Sequence, residues 1–121
     1  MAERSVQRGA IGLLARFGFR AAHVPNGAQL AGDRLARIKQ IAALKADGFA
    51  PGFPDLIVFG KRAGEIGFME CKREKGGKLS DEQLHWRDFL LALGFRWALV
   101  ETPEDALTAV RSWGWMEAVA A

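Results

Sequence analysis

The sequence predicts an α/β fold: a small three-layer sandwich around a central mixed sheet, with elements in the order α-β-α-β-β-α-β-α. Three observations predict it. Apolar residues recur at helical spacing in four segments, short apolar runs lie between those segments, and Gly, Pro and capping residues mark the boundaries. The chain has 121 residues, 50% of them hydrophobic and 26% charged, enough for one sizeable core. No repeat, low-complexity tract or long linker divides it, so a single domain over 1–121 is expected.

Val6, Ala10, Leu13, Leu14 and Phe17 share a helical stripe, which predicts a first helix over about 3–17 with Gly18 as its stop. Residues 19–24 form a short strand, closed by the turn signal Pro25-Asn26-Gly27. Asp33 N-caps a second helix running to Ala46, with Leu35, Ile38 and Ile41 or Ala42 facing inward and Gly48 beyond its end. Pro51-Gly52-Phe53-Pro54 is a stiff approach to the apolar run Leu56-Ile57-Val58-Phe59, a buried strand. Residues 60–64 are a hairpin loop and 65–72 its partner strand. Ser80 N-caps a third helix with Trp86, Phe89, Leu90 and Leu93 on one face and Gly94 at its end. Residues 95–101 give the last strand. Thr102-Pro103-Glu104-Asp105 opens a fourth helix through about Trp113, with Pro at its first position and acids in its first turn. Trp113, Trp115, Met116 and Val119 form an apolar tail that covers either the core or a partner subunit; the sequence leaves both open.

Several classes are excluded. No apolar run approaches the roughly 18 residues a membrane span needs, and the N-terminus lacks the apolar core of a signal peptide. Cys71 is the single cysteine, so neither an internal disulfide framework nor a cysteine-rich zinc site can form, and a reducing, cytoplasmic setting is expected. The net charge of +3 is a weak hint of a nucleic-acid partner; its distribution says more. Lys72, Arg73, Lys75 and Lys78 cluster around Gly76-Gly77, and Arg34, Arg37, Lys39 and Lys45 load the second helix. Either cluster read alone is as well explained by a solvated face.

The informative segment is 52–83. Asp55 precedes one strand, and Glu70-Cys71-Lys72 closes the strand paired with it. Alternate residues of a strand share a face, so Glu70 and Lys72 point one way and Cys71 the other. Two carboxylates and an ammonium converge, and two carboxylates together are unfavourable unless a cation lies between them. Oxygen donors favour a hard ion, Mg²⁺ or Mn²⁺, over zinc. The set suits phosphodiester hydrolysis: a cation held by Asp55 and Glu70 can activate the phosphate and water, and Lys72 can orient the water and stabilise charge on the phosphate. The alternatives are a structural acid at Asp55 and an ordinary exposed strand face at Glu70 and Lys72.

Gly52-Phe53-Pro54-Asp55-Leu56, Glu70-Cys71-Lys72 and Gly77-Lys78-Leu79-Ser80 followed by Gln83 resemble the VRR-Nuc family of the PD-(D/E)xK nuclease superfamily. The segment Val24-Pro25-Asn26-Gly27 is similar to the turn upstream of Pro-Asp in stand-alone phage and bacterial members, and the similarity covers about residues 3–110. The resemblance implies a restriction-endonuclease-like core, divalent-metal-dependent DNA cleavage, and a frequent preference for branched or flapped DNA, including the Holliday junction. It implies that Asp55 and Glu70 are metal ligands and Lys72 the catalytic lysine. Gln83 matches a glutamine of the family's site, and Glu3 an acid on the first helix that completes it. Cys71 stands where a hydrophobic residue is usual; its backbone carbonyl can still face the metal. Gln83 also reads as the N3 partner of a Ser80 capping box, and Glu3 as an acid favoured near a helix N-terminus.

Beside such a centre the basic tract gains meaning. Arg73, Lys75 and Lys78 can track a phosphate backbone, Arg34 and Arg37 can do so from the second helix, and His23 and Asn26 sit at a turn that can contact DNA. With the core taking nearly the whole chain, recognition by backbone and shape is expected, and a homodimer would supply two sites for paired cuts. The rival readings are a non-catalytic DNA-binding module and a protein-interaction subunit built on the Trp-rich tail.

Overall fold

A computed structural model describes residues 1–25 and 30–117. Its elements follow the expected order: α1 (Glu3–Arg16), β1 (Arg20–His23), α2 (Arg34–Ala46), β2 (Leu56–Phe59), β3 (Ile66–Cys71), α3 (Asp81–Ala92), β4 (Arg96–Val100) and α4 (Pro103–Ser112). Asn26, expected at a DNA-contacting turn, and Val119 of the apolar tail lie outside the described residues.

The four strands form one open mixed sheet in the order β1-β2-β3-β4. β1 with β2 and β2 with β3 are antiparallel; β3 with β4 is parallel. The β2–β3 hairpin is held at its tip by Glu65. Its backbone carbonyl accepts from Gly60 N–H at 2.8 Å, and its carboxylate accepts from the amides of Lys61 and Arg62 at 2.9 and 3.0 Å. The alternation along β3 then divides its side chains between the two faces of the sheet.

On one face Leu56, Val58, Met69, Cys71 and Val100 pack beneath α1 and α4. Those helices contribute Val6, Ala10, Leu14, Ala106, Leu107, Ala109 and Val110. Trp113 and Trp115 join this cluster at 9% and 8% exposure, and their rings meet edge-on with centroids 4.9 Å apart. Trp113 and Trp115 therefore cover the chain's own core, with Met116 packed against it. On the other face Phe68 meets Phe53 and Phe95 edge-to-face, and α3 adds Trp86 and Leu90. The result is three layers.

α2 departs from expectation. Asp33 caps it as expected, accepting from Ala36 N–H at 2.9 Å. Leu35 and Ile38, expected to face inward, are 60% and 52% exposed, and no residue of α2 is buried. The helix lies at the periphery and turns another side inward: its half-buried residues are Ala36, Gln40, Ile41 and Leu44, and of the expected stripe only Ile41 is among them. A second departure is on α3, where Leu90 alone is buried while Phe89 and Leu93 stand 49% and 59% exposed.

Where β3 passes beneath α4 the sheet has no room for a side chain. A Cβ on Gly67 would lie 2.5 Å from the Trp113 ring. Gly67→Ala is expected to destabilise the fold by about 1–3 kcal/mol through overpacking, read as a lowered urea midpoint at unchanged slope.

Candidate active site

The register that pairs Leu56 with Met69 places Asp55 opposite Glu70 one step further on. Both residues belong to the face of the sheet covered by α3, the face of Ile57 and Phe68. The neighbouring strand fixes Asp55 as well. Its carbonyl accepts from Val24 N–H at 2.8 Å and lies 3.1 Å from Nδ1 of His23, which must therefore donate. Its carboxylate reaches across the hairpin, Oδ2 accepting from Cys71 N–H at 2.8 Å. Asp55 thus has a structural role, and one oxygen of its carboxylate is already engaged by backbone.

Glu70 is only 1% exposed, the one charged side chain among the buried residues described. Nε2 of Gln83 donates to its Oε1 at 2.7 Å, while its Oε2 is buried with no hydrogen-bond partner. Gln83 occupies this position because it also closes the capping box of α3. Its Oε1 accepts from Ser80 N–H at 2.8 Å, and its own N–H donates to Ser80 Oγ at 3.2 Å. The capping reading and the site reading of Gln83 are therefore both satisfied, by opposite ends of one amide.

Burial, then the charge and proximity of the Asp55 carboxylate, push the Glu70 carboxyl up to about 9 from its ordinary 4.5. The charge of Lys72 pulls against that shift, and Glu3 adds a smaller upward push. Two ionised carboxylates are acceptors only and cannot bond each other; a proton or a cation has to lie between them. The Cys71 thiol, buried on the opposite face, is also raised, chiefly by desolvation, so it is an inert core group.

Glu3, Gly52, Phe53, Asp55, Glu70, Ser80 and Gln83 line a cavity of about 230 Å³. α1 brings Glu3 there, its N-terminal end tied to the loop after β3 by Glu74 N–H donating to the Met1 carbonyl at 3.1 Å. Among the described residues no three His, Cys, Asp or Glu side chains gather at ligating spacing; Glu3 lines the cavity near enough for its charge to act on Glu70. Gly52 permits the close fit. Its φ of +83° is left-handed, and a Cβ there would lie 2.5 Å from the backbone of Glu82 at the start of α3. Gly52 and Phe53 escaped notice as lining residues because in sequence they are merely the stiff approach to a strand.

Of the basic residues, Lys72 follows β3 directly and is half-buried. Arg73, Lys75 and Lys78 are exposed on the succeeding loop, which turns back through Lys75 at φ +60° and Gly76 at φ +85°. Arg34 and Arg37 are exposed on α2, away from the cavity lining.

Residues 20–102 match the VRR-NUC domain. The chain belongs to that family. Membership makes it a nuclease-type domain with DNA as its partner. The matched stretch of the VRR-NUC domain takes in Asp55, Glu70, Lys72 and Gln83 but not Glu3 on α1. No curated protein and no solved structure matches the chain. Among the described residues no helix is long and apolar enough to cross a membrane.

Folding the metal-free chain takes up a proton at Glu70, whose carboxyl titrates near 9 when folded and near 4.5 when unfolded. Stability is therefore fullest below about pH 4.5 as far as this group is concerned, and falls as the pH rises toward 9. In EDTA the melting temperature should decline across that window. Glu70→Gln, which keeps the shape and never ionises, should flatten the decline; parallel curves for the two proteins would show that Glu70 does not carry it.

Proposed function

We propose that this VRR-NUC domain is a divalent-metal-dependent DNA endonuclease with Asp55, Glu70 and Lys72 at its centre. The observation that carries the reading is the Glu70 carboxylate, buried, with Oε2 unpartnered and Asp55 facing it across the hairpin. Such a pair wants a cation. Two carboxylates are the ligand complement that suits Mg²⁺, which is held by one or two protein carboxylates and keeps several waters; Mn²⁺ accepts the same oxygen donors. The Cys71 backbone carbonyl and Glu3 are the further oxygens the chain offers. The cation would supply Lewis-acid activation of the phosphate and of water.

The chain's own residues do the rest. Gln83 holds Glu70 by Oε1 and leaves Oε2 without a protein donor, while the Cys71 amide holds Asp55 by Oδ2. Lys72, whose charge is felt at Glu70, stabilises negative charge as it develops on the phosphate and orients the attacking water. Arg73, Lys75 and Lys78 receive the neighbouring phosphates, with Arg34, Arg37 and His23 as further backbone contacts. None of the four helices is a separate module for reading the major groove, which favours selection by DNA shape: branched, flapped or Holliday-junction DNA.

Lys72→Ala and Asp55→Asn should retain DNA binding and cleave at least about a hundredfold more slowly than wild type in Mg²⁺ or Mn²⁺, with EDTA abolishing cleavage by all three. Wild type inert on duplex, single-stranded, flap and four-way-junction DNA in both metals would sink the enzymatic reading.

Paired cuts in a junction call for two sites, and a two-fold dimer provides them. With Trp113 and Trp115 buried, we take as its surface the outward side of α3, where Phe89 and Leu93, two of several exposed apolar side chains, stand one helical turn apart. Wild type is expected to sediment as a dimer and the Phe89→Lys/Leu93→Lys variant as a monomer. A wild-type monomer, with and without junction DNA, would remove the dimer from the proposal.

A further inference from the structure

A second cavity, about 600 Å³, opens beside the first. Its walls are apolar, formed by Leu44 at the end of α2, Phe49 in the loop that follows, Ile57 on β2, and Phe53 with Trp86. The volume lies in the range of small-molecule sites. Phe53 lines both cavities, and Val24, another wall residue, bonds through its N–H to the carbonyl of Asp55. The two spaces therefore have Phe53 in common and, through Val24, share the framework that holds Asp55.

Neither the metal centre nor the basic loop uses this space. Phe53 and Trp86 meet edge-on, centroids 5.1 Å apart at 71°, so their rings form a corner rather than a closed stack. The charged group on the rim is Asp47, a carboxylate, which repels phosphate and accepts from an N–H. An apolar, aromatic-walled space with an acceptor at its mouth takes a neutral heteroaromatic ring bearing N–H donors. The adjoining cavity contains Glu70, where the charge of Lys72 is felt, and the exposed basic loop of Arg73, Lys75 and Lys78 leaves β3 just beyond it in the chain, so a phosphate belongs on that side. A nucleotide presents those two chemistries at that adjacency.

We infer that the cavity walled by Phe49, Phe53 and Trp86 receives one unpaired nucleobase next to the phosphodiester on which the proposed centre at Asp55, Glu70 and Lys72 would act. The inference rests on the nuclease reading and deepens it by naming the feature of DNA that is selected. A base in a continuous duplex has to be unstacked and unpaired before it can enter, at a cost that is least where it is already unpaired. Aromatic contact with the inserted base recovers affinity at such a position and nowhere else. Flaps, bulges and branch points would then be preferred because they offer a free base beside a phosphodiester.

The test uses the Asp55→Asn chain, so that binding is read without cleavage, and two DNAs: a flap with a single 2-aminopurine unpaired at the junction, and a continuous duplex with the same base paired. Binding should shield the unpaired probe from acrylamide quenching. Ala50→Leu, which fills the cavity from its wall, should weaken flap binding about tenfold and leave duplex binding unchanged. The shielding measurement needs no change to the cavity, so it decides even if Ala50→Leu lowers the melting temperature. If both DNAs bind and the probe stays as accessible as in free DNA, the base site is wrong and the nuclease reading stands. If neither DNA binds, both fall together.

Discussion

Everything at the site depends on how β2 and β3 are paired. Their antiparallel register sets Leu56 against Met69 and thereby Asp55 against Glu70 on the face under α3. A slip of β3 by one residue would turn Glu70 into the core and bring Met69 and Cys71 out of it. The register is pinned from the other face, where Leu56, Val58, Met69 and Cys71 are wholly buried under α1 and α4. A hydrophobic core on one side of the sheet thus enforces an electrostatically unfavourable pair on the other. Left to itself the pair would separate or take up a proton, and the raised carboxyl of Glu70 is the sign of that tension.

The same economy ties α3 to the chemistry. Ser80 and Gln83 start the helix by capping each other, and the amide nitrogen left over from that bond holds Glu70. Gly52 lets the chain leading to Asp55 pass against the backbone of that first turn. Helix start, carboxylate orientation and cavity wall are therefore one unit. Replacing Gln83 would disturb a cap as well as a site, so a loss of activity there speaks to position more than to chemistry.

Element order was legible in the sequence because its signals are local. Asp33, Ser80 and Thr102 each cap the helix that follows, and Gly18, Gly48 and Gly94 each stand just past a helix end in left-handed conformation. The meeting of Asp55 and Glu70 was legible because a short hairpin leaves strands little choice of partner. What local signals cannot say is which partner a stripe will find. Leu35, Ile38, Phe89 and Leu93 have helical spacing and lie largely in solvent, while Trp113 and Trp115, in no regular element, are core. The larger cavity was invisible for a related reason. Its walls come from Val24, Leu44, Phe49, Phe53, Ile57 and Trp86, which share no period and meet only once the sheet and α3 have closed.

The arrangement of charge explains why such a site would favour shape over sequence. A polyanion approaching the carboxylate pair meets repulsion at the centre and attraction at the edge, where Arg73, Lys75 and Lys78 stand exposed on the loop leaving β3. The edge contacts act on phosphates common to all sequences and so supply affinity without base selection. Repulsion at the centre falls only when the Glu70–Asp55 pair is neutralised, by the proton Glu70 already favours or by a cation taking its place. Under the proposed metal dependence, proton and cation would compete for the same unpartnered oxygen, so cation binding would strengthen with rising pH, in the range where the metal-free fold weakens. The strain that the core imposes on Glu70 would then be the source of affinity for the proposed cation, and relief of that strain is what binding would contribute back to the fold.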